Sequence, residues 1–435
     1  MCFTGKLATL KKKNFLSHSV FTGIAFAFYG GTKFAFNLLV QIVYGSETVG
    51  NYNLVLSSAM IAPLFITSIF GIAMSKFASE ARGKKDHQRF LFFVGFNFWV
   101  FLLLAAASSV IYLLFSQRIA LLVKGSAHIF VWGPPIIFLF CIYNFFRRLY
   151  YILEKIKLYT LLEVTSSILF FICLAVCLVK KLENSLLLPM IVHLGFFSAV
   201  SFFLCFKYIR QMSWLTRFKE YKSPLAAFFK YSLITGFGTA LTAISLHIFT
   251  IVLGKCADIK SVGHFSLVRS TVEPSSYLFR IVGMVNFPKI AYIYGSGNIA
   301  ALKSFVKDNF KKFSIFVSLL FLPAVLLTPY FSRFLFKTEN TGGLVLLFAL
   351  MLLTLYLRTV GVFHLNFLSA TRYPLFPNII SPVSIFIVIP FIPFVFNSFG
   401  PGGLGVLIFS AEVVRSACII LMGEKKLMEI EKETP

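Results

Sequence analysis

Several apolar stretches of this sequence carry charged or polar residues at helical spacing. Ser266, Arg269, Glu273, Ser276 and Arg280 recur at intervals of three and four, which puts them on one face of an α-helix. Arg269 and Arg280 each lie seven or eight residues from an end of their apolar stretch, roughly 10–12 Å deep at 1.5 Å per residue. Near the N-terminus, Gly23, Ala27, Gly30, Lys33, Asn37, Gln41 and Tyr44 make a second such face, mostly small or polar with a lysine well inside, and Phe26 beside it. Arg358, with Thr354 and Gly361, continues the pattern. Ser232, Thr235, Thr239 and Thr242 line a further helix, a face that suits helix packing. A guanidinium grips phosphate through parallel N–H bonds, so these cations suit an anionic ligand.

Each charge also has a plainer reading. Arg269 and Glu273 stand four apart and can neutralise each other, so Glu273 either couples an ion or braces Arg269. Glu412 and Arg415 are expected as an interhelical pair or interface anchor, Glu163 as interfacial, and His193 and His247 as satisfied buried histidines.

The charges matter because of what surrounds them. The chain has 435 residues, 58% apolar and 13% charged, against about 45–50% and about 25% in soluble domains. This excludes a soluble enzyme and a disordered chain. Twelve apolar segments follow, at about 15–44, 52–77, 90–115, 127–146, 159–179, 185–206, 224–253, 262–288, 313–336, 342–369, 374–396 and 403–422. With the N-terminus inside, cytoplasmic segments hold 27 Lys and Arg and the opposite loops 8, as the positive-inside rule requires. The net charge of +25 is therefore a topology signal with affinity for anionic lipid, not a nucleic-acid footprint. Cys141, Cys173, Cys177, Cys205 and Cys418 fall in apolar runs and read as small hydrophobes. No disulfide framework, metal site, cofactor or cleavable signal peptide is expected.

The chain also repeats itself. Thr48-Val49-Gly50-Asn51-Tyr52-Asn53-Leu54-Val55 matches Ser261-Val262-Gly263-His264-Phe265-Ser266-Leu267-Val268 at an offset of 213, which also pairs Lys76 with Lys289. Six spans return a chain to its starting side, so the halves are parallel, an architecture of transporters. The expected fold is an all-α membrane protein of about 12 transmembrane helices in two six-helix lobes. Residues 1–14 form a cytoplasmic segment, 15–206 the first lobe, 207–223 a linker, 224–422 the second lobe and 423–435 a cytoplasmic tail.

The run Val43-Tyr44-Gly45-Ser46-Glu47-Thr48-Val49-Gly50-Asn51-Tyr52-Asn53-Leu54, then Gly71-Ile72-Ala73 and Lys76-Phe77-Ala78-Ser79-Glu80, resembles the polysaccharide-biosynthesis flippases. These are the Wzx-type O-antigen and capsule repeat-unit translocases of the multidrug/oligosaccharidyl-lipid/polysaccharide exporter superfamily. The resemblance implies a V-shaped, MATE-like bundle working by alternating access in the cytoplasmic (inner) membrane. It also implies an undecaprenyl-diphosphate-linked oligosaccharide as cargo, with membrane lipids and polysaccharide polymerase machinery as partners. Many relatives carry an Asp–Arg pair in the seventh span, where this chain has apolar residues and His247. On this reading Lys33, Asn37, Arg269, Arg280 and Arg358 contact the lipid diphosphate. The competing readings are a drug/cation antiporter, a peptidoglycan lipid-precursor flippase and, from another class, a membrane polymerase or glycosyltransferase. The first needs embedded acids, and the last a sizeable external loop or acids near the first one, where Glu47 stands alone.

The charge bias makes one direct prediction. Reporter fusions after Asn340 and after Gly423 read opposite sides of the membrane, and a shared compartment would refute the twelve-span topology.

Overall fold

In lipid, a backbone must satisfy its own hydrogen bonds, so long apolar stretches become helices. The computed structural model describes residues 3–210, 220–276 and 298–432, apart from 337–341, 372 and 374, together with residues 286, 287, 289, 290, 293 and 294. Among these residues every regular element is helical. The first half contributes α1 (Phe3–Tyr44), α2 (Ser46–Gly83), α3 (His87–Leu122), α4 (Gly133–Ile152), α5 (Ile156–Val179) and α6 (Leu188–Arg210). The second contributes α7 (Lys222–Tyr231), α8 (Phe237–Cys256), α9 (Ile259–Val272), α10 (Ile299–Leu326), α11 (Thr328–Phe336), α12 (Gly342–Val360), α13 (Val362–Ala370), α14 (Leu375–Phe386) and α15 (Ile392–Lys432). A π-helical turn, Ser232–Gly236, joins α7 to α8.

Ten described helical stretches are long and apolar enough to cross a membrane. The expected count of twelve differs at two places. The eighth segment, 262–288, runs beyond the described residues after Ser276. The last two merge into one helical run, Leu375–Ile430, broken where Gly400 takes φ 63° before Pro401. That positive φ is open to glycine at little cost, and it falls between the two expected segments. The ninth helix begins at Ile299, not near 313. Its first turns carry Lys303, Lys307, Lys311 and Lys312, a polar helical extension that hydropathy alone does not report.

The chain divides into two compact units. The first comprises residues 1–36, 59–117 and 128–236. Its helices meet through aromatic rings. Phe77 lies 5.3 Å from Phe93 and 5.6 Å from Phe228, and Phe145 lies edge-on to Phe98 and Phe101. Lys76 places its ammonium 3.9 Å from the centre of the Tyr231 ring, a cation–π contact. Its repeat counterpart Lys289 does the same over Phe305, at 4.5 Å.

The second unit comprises residues 37–58, 118–127 and 237–435. Ile290, Leu302, Val306, Phe367, Leu368 and Ile419 are part of one buried cluster. The unit also takes in the junction of α1 and α2. A Cβ at Gly50 would sit 2.1 Å from the Ile259 carbonyl oxygen, and one at Gly263 would sit 1.9 Å from the Ser46 carbonyl oxygen. Each glycine thus meets the carbonyl four residues before its repeat partner, across the same offset of 213. This reciprocity is that of a local two-fold axis, and it leaves room for hydrogen only. Asn51 fixes the same region by accepting a bond from the Ser126 amide at 3.1 Å.

Alanine at Gly50 or Gly263 forces backbone apart. Each single variant should lose about 1–3 kcal/mol, in the range of overpacked cores, read as a lower melting temperature of the purified protein. Gly31→Ala, where nothing lies within 4 Å, is the control. Unchanged melting of both Gly50→Ala and Gly263→Ala would contradict the close approach.

Candidate functional site

Asn37 is fully buried on α1. Its Oδ1 accepts from Asn53 Nδ2 at 2.7 Å, and Asn53 also donates to the Val49 carbonyl. The repeat offset of 213 carries Asn37 onto Thr250, and there the partner helix again supplies a side chain. Arg269 on α9 donates to Thr250 Oγ1 at 3.4 Å and to the Leu246 carbonyl at 3.2 Å. Its remaining nitrogens face His247 Nε2 at 3.3 Å and Glu273 Oε2 at 3.7 Å. Arg269 is 6% exposed. Both halves therefore place a polar group at the same point of their first helix and reach it from the second.

Arg358 belongs to a different cluster. Its Nε and Nη2 both donate to Glu412 Oε2, at 3.2 and 2.8 Å. Arg415, one turn further along α15, donates to the other carboxylate oxygen, and Ser416 adds a fourth bond at 3.0 Å. Arg415 Nε reaches Ser381 Oγ on α14 at 3.0 Å. Glu412 and Arg415 thus share one helix, and their links to other helices are Arg358 and Ser381. Two guanidiniums stand on one carboxylate, so the cluster keeps a surplus positive charge. The Arg358 side chain is 23% exposed, against 2% for Glu412.

Lys33 is half-buried on α1, one turn beyond Tyr29, and Arg280 lies outside the described residues. The hydroxyls of Thr235 and Thr242 each bond to the carbonyl four residues earlier.

Glu163 is fully buried within the protein on α5, seven residues inside the helix. Tyr143 Oη donates to its Oε2 at 2.8 Å, and His193 Nε2 stands 3.3 Å from its Oε1. Arg147, one residue past the expected segment 127–146, continues α4 and lies over the Tyr143 ring at 5.7 Å. The signal for Glu163 and His193 was their apolar flanks, but separate helices carry them, and only the packing of α4, α5 and α6 brings them together. Among the described residues no group of three or more His, Cys, Asp or Glu is arranged to hold a metal ion.

A family model described as polysaccharide biosynthesis protein matches residues 12–293. The chain belongs to this family. Its fold is shared by solved structures across nearly the whole length. One is an inward-facing multidrug resistance MATE family transporter of the MOP superfamily, 14% identical, covering 94% of this chain and 96% of its own, with a TM-score of 0.74. Another is the lipid II flippase MurJ in an inward closed conformation, 16% identical, covering 95% and 90%, with a TM-score of 0.71. A third is a MOP superfamily transporter from Pyrococcus furiosus whose binding pocket has reverse polarity, 14% identical, covering 97% and 96%, with a TM-score of 0.65. No curated protein matches the sequence significantly. The family member described here is thus a multi-pass membrane protein with the fold of transporters and flippases.

The shared carboxylate makes Glu412 the weak point of its cluster. Glu412→Gln leaves two guanidiniums at membrane depth with no counter-charge, and losing one partner of a buried pair costs about 3–5 kcal/mol. The expected result is a lower melting temperature of the purified protein, with a drop larger than that of Arg358→Gln, which keeps the Arg415–Glu412 pair. The reverse order would contradict this assignment.

Proposed function

We propose that the chain flips polyprenyl-diphosphate-linked oligosaccharide repeat units across the cytoplasmic membrane by alternating access, for surface polysaccharides such as O-antigen or capsule. The observation that carries this reading is the surplus of guanidinium over carboxylate around Arg358, Glu412 and Arg415, in a chain of the polysaccharide biosynthesis family. Uncompensated charge at membrane depth is expensive, and a diphosphate is an anion that would offset it. Lys33, Asn37, Arg269, Arg280 and Arg358 are the groups assigned to that anion. Glu273, 3.7 Å from Arg269, braces it. Both termini are read as cytoplasmic, and polymerase machinery receives the flipped units.

A drug/cation antiporter is less favoured. It needs embedded acids free to take a cation, whereas Glu273 and Glu412 each lie within 4 Å of an Arg.

Lys33→Ala and Arg269→Ala should each lower export of lipid-linked glycan about tenfold or more, the effect of losing one charge-assisted contact of about 1.5–3 kcal/mol, at normal protein levels. Arg269→Lys should recover less than Lys33→Arg, because the planar fork spans several acceptors. Glu273→Gln should leave the response of flipping in proteoliposomes to a proton or sodium gradient unchanged. Full glycan export by the Lys33→Ala/Arg269→Ala double variant would overturn the assignment.

A further inference from the structure

The Glu163–His193 contact has no part in the anion chemistry above, and its surroundings are unusual. The two side chains are 0% and 1% exposed. Their nearest atoms are 3.3 Å apart, yet Glu163 Oε1 and both His193 nitrogens lack an aligned hydrogen bond. Phe170 lies edge-on to the imidazole at 6.4 Å, and Phe197 packs on Tyr143 at 4.6 Å and on Tyr159 at 6.0 Å. A carboxylate and an imidazole in such a wall hold a net negative charge when they share no proton. With one proton between them they become a neutral, hydrogen-bonded pair. The donor set, one carboxylate with an imidazole and a phenol, is poor for sodium or calcium, which take several oxygens, and good for a proton.

We propose that Glu163 and His193 form a proton-binding site in the first unit, and that Tyr143 links its occupancy to Arg147. The link is short. Tyr143 donates its hydroxyl to Glu163, and the Arg147 guanidinium lies over the same ring. The other groups facing this cluster are Tyr29 on α1, whose ring lies 5.9 Å from Tyr143 and 6.5 Å from His193, and Tyr151 and Tyr159. An ionised Glu163, joined to the Tyr143 hydroxyl, opposes a second anion beside Arg147. A proton on the pair removes that opposition. Proton and anionic ligand then favour each other's binding, and the effect is reciprocal. This linkage rests on the flippase reading for its biological meaning, but the proton site does not.

Two measurements on the purified full chain test it. The first is an infrared difference titration between about pH 5 and about pH 8. A carboxyl–imidazole band change should appear in the wild type, vanish in Glu163→Gln, and shift its midpoint in His193→Gln and Tyr143→Phe. The second is binding of geranylgeranyl diphosphate as probe. Its affinity should rise more steeply on acidification in the wild type than in Glu163→Gln or Arg147→Gln, by tenfold or more across that range. An unchanged infrared titration in Glu163→Gln would overturn the site. If that variant does not fold, an unchanged midpoint in both His193→Gln and Tyr143→Phe would do so. Equal pH dependence of probe binding in wild type and Arg147→Gln would overturn the link. A chain that passes both tests yet flips no lipid-linked glycan would sink the proposed function and leave the proton site standing.

Discussion

A charge placed among lipid-facing helices must find its counter-charge or hydrogen bonds within the protein, because hydrocarbon offers neither. Much of the polar architecture follows from that demand. Arg269 is held by a carbonyl, a hydroxyl, an imidazole and, at 3.7 Å, a carboxylate. Arg358 and Arg415 converge on Glu412 and so tie α12 to α15. Glu163 ties α5 to α4 through Tyr143 and stands 3.3 Å from His193 on α6. These links also position the helices: each charge that needs a partner fixes the rotation of the helix carrying it.

The apolar packing around these links uses rings more than small residues. Between membrane helices there is little hydrophobic gain, so contact and shape carry the association. Phe77, Phe93, Phe96 and Phe228 interlock in the first unit. Small residues are kept for places where backbones meet, above all Gly50 and Gly263.

The helices themselves were legible in the sequence, because a run of about 20 apolar residues has few alternatives. Legible too were the repeat and the pairing of Arg269 with Glu273, since a four-residue interval brings two side chains to one side of a helical turn. Pairings between helices were not. Arg358 and Glu412 are 54 residues apart, and nothing local in either segment points to the other. The same holds for Glu163 and His193, which hydropathy treats as isolated interruptions. Hydropathy also starts the ninth helix too late, because a lysine-rich helical extension looks like a loop on that scale.

The reciprocal seam at Gly50 and Gly263 says something about how such a chain can arise. A patch that meets its own symmetry mate is complete in a single sequence, as in isologous dimers. A half-length polypeptide bearing that one glycine could dock with a second copy of itself, glycine against carbonyl in both directions. Gene fusion would then inherit a working joint while the two copies diverged elsewhere: Asn37 faces Asn53 in one half, and Thr250 faces Arg269 in the other.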